Sequence, residues 1–371
     1  MGKYGEIVRR TNSSYTNGQG NVISTLRYNL NVNRRVKNYE HLAHFFIEHS
    51  YRTKLLPPCS IAQPLERGSN NYYFIIQGEF YMSWLDLHMH TNFSDDGTYS
   101  PEELMDLCLK NGVRVAAVAD HNCTRGVPRA MQRAQQLGME CIPAVELDCT
   151  YKGIDLHLLG YWIQPEYPGF HETERAILEQ EQRAGEYRIQ HAYEMGFHFD
   201  ASPLLAEKDG VVTGEMIAEA VLAQDPHHPA LTPYLPGGNR SDNPYVNFYW
   251  DFFSQGKPGY VPIAFQSLQE AISLIRTAGG LPVLAHPGNN IHEDVTLLRD
   301  IAAQGVCGME AYSSYHSPEQ IAFYLRQAED LSLAVSCGSD FHGKIKPSIS
   351  LGGFDCGGQE SNLLHRLHEA L

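Results

Sequence analysis

The chain has 371 residues, 43% of them apolar, enough for a buried core in one large α/β domain or two smaller units. A formal net charge of −15 argues against a binder of long nucleic acid that works by broad phosphate neutralisation, though not against a small anionic substrate held by metal ions. Eight cysteines (Cys59, Cys108, Cys123, Cys141, Cys149, Cys307, Cys337 and Cys356) are scattered with no CxxC pair. They read as reduced core residues of a cytoplasmic protein rather than as a disulfide framework. No apolar run reaches the ~18 residues of a spanning helix and no signal segment opens the chain, so no membrane partner is expected.

Residues 1–81 hold ten Lys or Arg against five Glu and no Asp, a net of +5 that leaves −20 for the remainder. This stretch is poorly periodic and rich in Asn, Ser and Tyr, and only Tyr39–Tyr51 fits a short helix. It reads as a poorly ordered extension or as translated upstream sequence. The second reading rests on Gly78-Glu79-Phe80-Tyr81, which can be encoded by a purine-rich GGAGAA and a short AT-rich spacer, like a bacterial ribosome-binding site before Met82.

From Met82 onward strands and helices alternate. Leu85–His90 reads as a strand. Ser100-Pro101-Glu102-Glu103 starts a helix with an N-cap, a proline and acids in the first turn, and that helix runs to Asn111-Gly112. Val113–Asp120 is the nearly continuous apolar strand of a sheet covered on both faces. A helix over Val127–Leu137 and strands over Cys141–Leu147 and Ile154–Trp162 follow. A long charged helix over Glu172–Met195 and a Pro-, Gly- and aromatic-rich stretch then break the rhythm. Residues 169–265 are therefore expected to form a helical insertion subdomain, with 82–168 and 266–371 as the main domain. The alternation resumes with helices over Leu268–Ala278, Glu293–Gln304 and Ser317–Glu329, and strands over Leu281–His286, Cys307–Tyr312 and Ser332–Ser339. About seven such strands suggest a barrel rather than an open sheet.

Polar residues recur where these strands end. His88 and His90 share one face of the first strand, Asp95 follows, Asp120-His121 ends the second strand and Glu146 the third. His157 lies in the fourth strand, His286 ends the next, and Asp340 and His342 end the last. Functional groups collect at the C-terminal ends of barrel strands. Taken singly, each of these is weak: a His-x-His in a strand is more often incidental, and His157 alone reads as a core histidine. Jointly, His88, His90, Asp95, His121, Glu146, His157, His286, Asp340 and His342 would be a costly set of buried polar groups with no ion to pair them. Imidazole and carboxylate without thiolate suit Mn, Zn or Fe. Glu310 also ends a strand and reads as a supporting or structural residue. Gly-x-Ser-x-Gly, a Walker-type loop and a strand-GxGxxG-helix unit are all absent.

The motifs Asp86-Leu87-His88-Met89-His90-Thr91, Ala119-Asp120-His121-Asn122, Glu146, His157-Leu158-Leu159-Gly160-Tyr161, Ala285-His286-Pro287 and Gly338-Ser339-Asp340-Phe341-His342-Gly343 resemble, in combination and order, the polymerase-and-histidinol-phosphatase (PHP) superfamily. The similarity runs from about Ser83 to Gly353 and is greatest to stand-alone phosphoesterases with a helical insertion. That resemblance implies an α/β fold, a distorted (β/α)7 barrel like the TIM barrel, with two or three divalent ions. By similarity His88, His90, Glu146 and Asp340 would hold one ion, Glu146 with His157 and His286 a second, and Asp95, His121 and His342 a third. Asp95-Asp96-Gly97 is one residue longer than the commoner Ser-Asp-Gly form, so Asp96 is the alternative to Asp95.

The expected activity is hydrolysis of nucleotide monoesters or cyclic sugar phosphates by a metal-activated hydroxide. His316, or a water at the third site, is the candidate proton donor to the leaving group, and Arg240, Lys344 and Arg125 are candidate substrate-binding cations near the mouth. The alternatives are a nuclease for short oligonucleotides, in which Tyr245, Phe248, Tyr249 and Trp250 would stack a base rather than form a small core, and a non-catalytic metal-binding barrel.

Overall fold

The computed structural model describes residues 82–206 and 210–371, and before them the backbone of four strands. These are β1 (Glu6–Thr16), β2 (Val22–Asn31), β3 (Ile61–Arg67) and β4 (Asn71–Glu79). They pair antiparallel in the order β1-β2-β4-β3, within a unit that spans Met1–Met82. The helix expected over Tyr39–Tyr51 lies outside the described residues.

Ser83–Leu371 forms the second unit. Its sheet comprises β5 (Leu85–Met89), β6 (Val115–Val118), β7 (Glu140–Tyr151), β8 (Ile154–Tyr161), the two-residue β9 (Gln266–Ser267), β10 (Leu281–Leu284), β11 (Gly308–Ser313) and β12 (Ala334–Gly338). Seven of these strands follow the order β12-β11-β10-β8-β7-β6-β5. The two ends meet: Asp340 N–H donates to His88 O at 2.8 Å and His90 N–H to Phe341 O at 3.0 Å. The result is a nearly closed barrel. Neighbours are parallel except at β8, which pairs antiparallel with both β7 and β10. β8 follows β7 through the tight turn at Lys152-Gly153, both at positive φ, so no crossover helix intervenes and the barrel is distorted there.

The helices begin where local chemistry starts them. Ser100 with Glu103, Ser267 with Glu270, and Ser317 with Gln320 form capping boxes, and Gly138 in the left-handed region ends the helix Val127–Leu137. The strands are apolar because both faces are covered. Leu85 and Leu87 join a buried cluster with Val115, Ala117, Val283 and the last helix's Leu363 and Leu367, while Asp86, His88 and His90 take the opposite parity on β5. Gly338 has no substitute at its position, since a Cβ there would lie 2.2 Å from His88 Cβ and 2.5 Å from Glu310 Oε1.

Between β8 and β9 the helices Pro168–Glu194, Ser202–Ala206, Gly214–Gln224 and Pro244–Phe252 gather largely around an apolar cluster of their own that includes Ile189, Phe197, Ile217, Val221, Phe248 and Phe253. Phe248 is wholly buried against Phe197, Tyr234 and Phe252, so it is part of this core and not a stacking platform. Trp250, at 42% exposure, is the aromatic of that helix open to solvent. No described helix is long and apolar enough to cross a membrane.

Candidate metal centre

The strands bring imidazoles and carboxylates together at one mouth, and a partner outside the cluster or a backbone carbonyl orients three of the imidazoles. His88 Nδ1–H donates to Glu310 Oε1 at 3.1 Å, while Glu310 Oε2 accepts the His286 N–H at 2.9 Å. His90 Nδ1–H donates to Ser94 Oγ at 3.0 Å, and Ser94 Oγ–H donates to Asp120 Oδ1 at 3.0 Å. Asp120 is itself clamped by Thr91 N–H at 2.6 Å and Thr91 Oγ1 at 2.7 Å, so it serves this relay. His342 Nδ1–H donates to the Asp340 carbonyl at 2.9 Å. Carboxylate and carbonyl oxygens only accept, so these contacts fix the tautomers and turn the Nε2 atoms of His88, His90 and His342 inward.

Glu146 stands at the centre. Its Oε2 lies 3.1 Å from His88 Nε2, 3.2 Å from His90 Nε2 and 3.3 Å from His121 Nδ1. Its Oε1 lies 3.0 Å from His157 Nδ1 and 3.1 Å from His286 Nε2. The two oxygens thus face different imidazole sets, as a bridging carboxylate would. Asp340 Oδ1 closes the first set, 3.4 Å from His88 Nε2 and 3.0 Å from His90 Nε2. Burial alone would raise the Glu146 carboxyl, but the charges of His88, His157 and His121 override it and hold the group well below the usual carboxylate range. Burial together with His342 and His121 pushes His90 down to about 4, whereas at His88, His121 and His157 burial is outweighed by Glu146 and neighbouring carboxylates, which hold those imidazoles up, so a bound cation would take the place of their protons.

The donor set fits divalent ions. The buried atoms His88 Nε2, His90 Nε2, His121 Nδ1, His342 Nε2, Glu146 Oε2 and Asp340 Oδ1 make no hydrogen bond among the described residues, although each lies against the others. Buried orphans of this kind are costly. Ligand bonds of roughly 2.0–2.2 Å place donors of one ion about 3.0–3.5 Å apart, which matches the spacings above. The donor atoms gather as His88, His90, Glu146 and Asp340, as Glu146, His157 and His286, as His90, His121 and His342, and as His121, Asp148 and His157, each set within 4.8 Å.

Eight of the nine expected ligands therefore fall in these sets, and Asp95 does not. A carboxylate oxygen of Asp96, the alternative to Asp95, lies 3.1 Å from His342 Nε2. Two consecutive turns (Ser94 N–H to Thr91 O, Gly97 N–H to Ser94 O) coil the segment tightly, and the extra residue carries Asp96 into the place that counting from His90 gives to Asp95. A carboxylate that was not anticipated, Asp148, has its Oδ1 3.5 Å from His121 Nδ1 and 3.4 Å from His157 Nε2. Reciprocal hydrogen bonds with Asn122, at 2.7 and 2.9 Å, hold it there. Its signal was parity, because Asp148 shares a strand face with Glu146.

The other expected residues have different roles. Both ring nitrogens of His316 are engaged by backbone, Nδ1 with Ala311 O at 2.9 Å and Nε2 with Gly288 N–H at 3.1 Å, so the residue braces the segment after His286 instead of facing the mouth as a proton donor. Arg240 makes paired hydrogen bonds to Asp251 at 3.0 and 2.8 Å inside the insertion. Lys344 pairs with Glu219 at 3.2 Å, and Arg125 with Glu174 at 2.7 Å. The cation nearest the centre is instead Lys346, buried, with Nζ 2.7 Å from Asp340 Oδ2.

A nearly closed barrel with buried imidazoles and carboxylates converging at one mouth defines a metal-dependent hydrolase. The model of the PHP domain matches residues 86–207. The chain is 29% identical over 268 residues to the 3′,5′-nucleoside bisphosphate phosphatase of Chromobacterium violaceum, covering 70% of this chain and 88% of that one. It is 29% identical over 263 residues to a 5′-3′ exoribonuclease of Haemophilus influenzae, covering 69% and 89%. It is 25% identical to the phosphoribosyl 1,2-cyclic phosphate 1,2-diphosphodiesterase of Eggerthella lenta, covering 70% and 94%. A putative metal-dependent phosphoesterase from Bifidobacterium adolescentis superposes with a TM-score of 0.60 at 27% identity, over 76% of this chain and 96% of that one. Residues 86–207 thus match the PHP domain, and the chain is a metal-dependent phosphoric ester hydrolase.

Proposed function

We propose that the substrates are small phosphorylated metabolites, nucleotide monoesters or cyclic sugar phosphates, and that two or three Mn, Zn or Fe ions serve the reaction. The observation that carries this reading is Glu146, with one oxygen against His88 and His90 and the other against His157 and His286. His88, His90, Glu146 and Asp340 would hold one ion, Glu146, His157 and His286 a second, and His121, His342 and Asp96 a third. Such ions polarise phosphoryl oxygens and lower the pKa of bound water towards neutrality.

The chain's own residues supply position and charge. Glu310 and the Ser94–Asp120 relay hold His88 and His90 in the ligating tautomer. The relatives named for a nucleoside bisphosphate and for a phosphoribosyl cyclic phosphate support a small substrate. The exoribonuclease relative keeps a second reading open, stepwise removal of nucleotides from a short RNA.

The test is phosphate release from nucleoside monophosphates, 3′,5′-bisphosphates, cyclic sugar phosphates and a short oligoribonucleotide, with Mn or Zn added to stripped protein. Metal-dependent turnover of the small esters is expected. Activity that survives His88→Ala combined with His90→Ala would sink the assignment, and turnover of the oligonucleotide alone would move it to the second reading.

A further inference from the structure

The two oxygens of Asp340 have different surroundings. Oδ1 lies 3.4 Å from His88 Nε2 and 3.0 Å from His90 Nε2 and makes no hydrogen bond among the described residues. Oδ2 accepts from Lys346 Nζ at 2.7 Å and from Tyr315 OH at 2.5 Å. Lys346 is only 8% exposed, and its Nζ lies 5.4 Å from the centre of the Tyr315 ring. The Asp340 backbone is in the left-handed region at φ 55°, a conformation that a non-glycine residue keeps only where its surroundings demand it.

A carboxylate left to itself can meet a cation through either oxygen or through both. Two donors on one oxygen occupy its lone pairs, fix the side-chain torsion and leave the other oxygen as the ligand. We propose that Lys346 and Tyr315 are positioning residues for Asp340: they hold its outer oxygen so that Oδ1 alone is offered to a divalent ion between His88 and His90. This rests on the reading of the cluster as a metal centre. Neither residue belongs to the proposed ligand sets; both bear on Asp340, and the edge-on packing of the Tyr315 ring against His286, 5.9 Å between centroids, is kept in Tyr315→Phe. Lys346 is itself held by its loop, because Thr98 Oγ1 accepts Lys344 N–H at 3.0 Å and Asn243 Oδ1 accepts Ser348 N–H at 3.0 Å.

The two residues separate orientation from charge. Tyr315→Phe removes a neutral donor and leaves the electrostatics nearly unchanged. Lys346→Met removes donor and charge together, and Lys346→Gln removes the charge but keeps an N–H donor. If the ammonium acted only as a competing positive charge, its loss would tighten the binding of a cation.

The experiment is calorimetric titration of the metal-stripped full chain with Mn²⁺, for wild type and the three variants. Tyr315→Phe and Lys346→Met are expected to weaken Mn²⁺ binding at one site by about 10–100-fold, the usual cost of losing a partner that orients a ligand, with Lys346→Gln recovering part of the loss. Should Tyr315→Phe not fold, the comparison of Lys346→Met with Lys346→Gln carries the test. An affinity within twofold of wild type in Tyr315→Phe, or tighter binding in Lys346→Met, overturns the proposal. A wild-type chain that takes up no Mn²⁺ overturns both the proposal and the metal centre beneath it.

Discussion

His88 and Glu310 are wholly buried, 222 positions apart in the chain, and joined by a 3.1 Å hydrogen bond from Nδ1–H to Oε1. The same carboxylate takes the backbone N–H of His286, so one side chain orients the His88 imidazole and anchors the backbone of a second expected ligand. Glu310→Ala is therefore expected to lower metal affinity by about 10–100-fold. Glu310→Gln, which keeps the shape and one acceptor oxygen, should lose less. Mn²⁺ titration of stripped protein measures both, and equal affinities for Glu310→Ala and wild type would remove Glu310 from the centre.

Asp96 and Asp95 make a paired comparison. Because Asp96 lies 3.1 Å from His342 Nε2, Asp96→Asn should weaken the set around His342 and Asp95→Asn should do so much less. A difference of about tenfold or more in the metal concentration needed for half-maximal phosphate release is expected, the range in which loss of such a group usually falls. The reverse order would restore the register that sequence counting favours.

His316 gives a pH dependence whose sign follows from its surroundings. Burial holds the imidazole below its ordinary value of 6.5, and in the fold both ring nitrogens are committed to backbone groups. The unfolded chain protonates near 6.5 while the folded chain does not. Stability from this group is therefore complete above that pH and is lost as pH falls below it. His316→Asn should lower stability at pH 8 and flatten its fall between pH 6.5 and 5. Denaturant midpoints across that range provide the measurement, and parallel profiles for the two proteins would contradict the account.

Much of the centre could be read from the strands. His88, His90 and Asp340 sit at or just beyond strand ends, where a period of two and the barrel rule gather them, whereas Glu146, expected to end its strand, lies inside β7, which runs on to Tyr151. What escaped has physical reasons. The residue pattern of β8 does not encode direction, so its antiparallel pairing had no signal beyond the short turn at Lys152-Gly153. Asp96, the alternative to Asp95, meets His342 because a coiled turn does not conserve the residue counts of an extended segment. Tyr315 and Lys346 come from two different loops, and only the fold brings them to one oxygen of Asp340. Arg240, Lys344 and Arg125 were judged by charge and position, whereas the insertion and the loops place an acid beside each.

The seam of the barrel has a consequence for folding. Asp340 N–H meets His88 O at 2.8 Å where the first and last strands join, and those two residues also belong to one donor set. Closing the ring and completing that set are thus a single event, which brings together segments some 250 residues apart and bears the loop-closure cost of so long a separation. Glu146, His157 and His286 come from neighbouring strands, but His286 lies 129 positions beyond His157, so that set closes a long loop of its own. Doubling a loop adds only about 0.6 kcal/mol, so the two closures differ little in cost, and Glu146, common to both sets, ties them together.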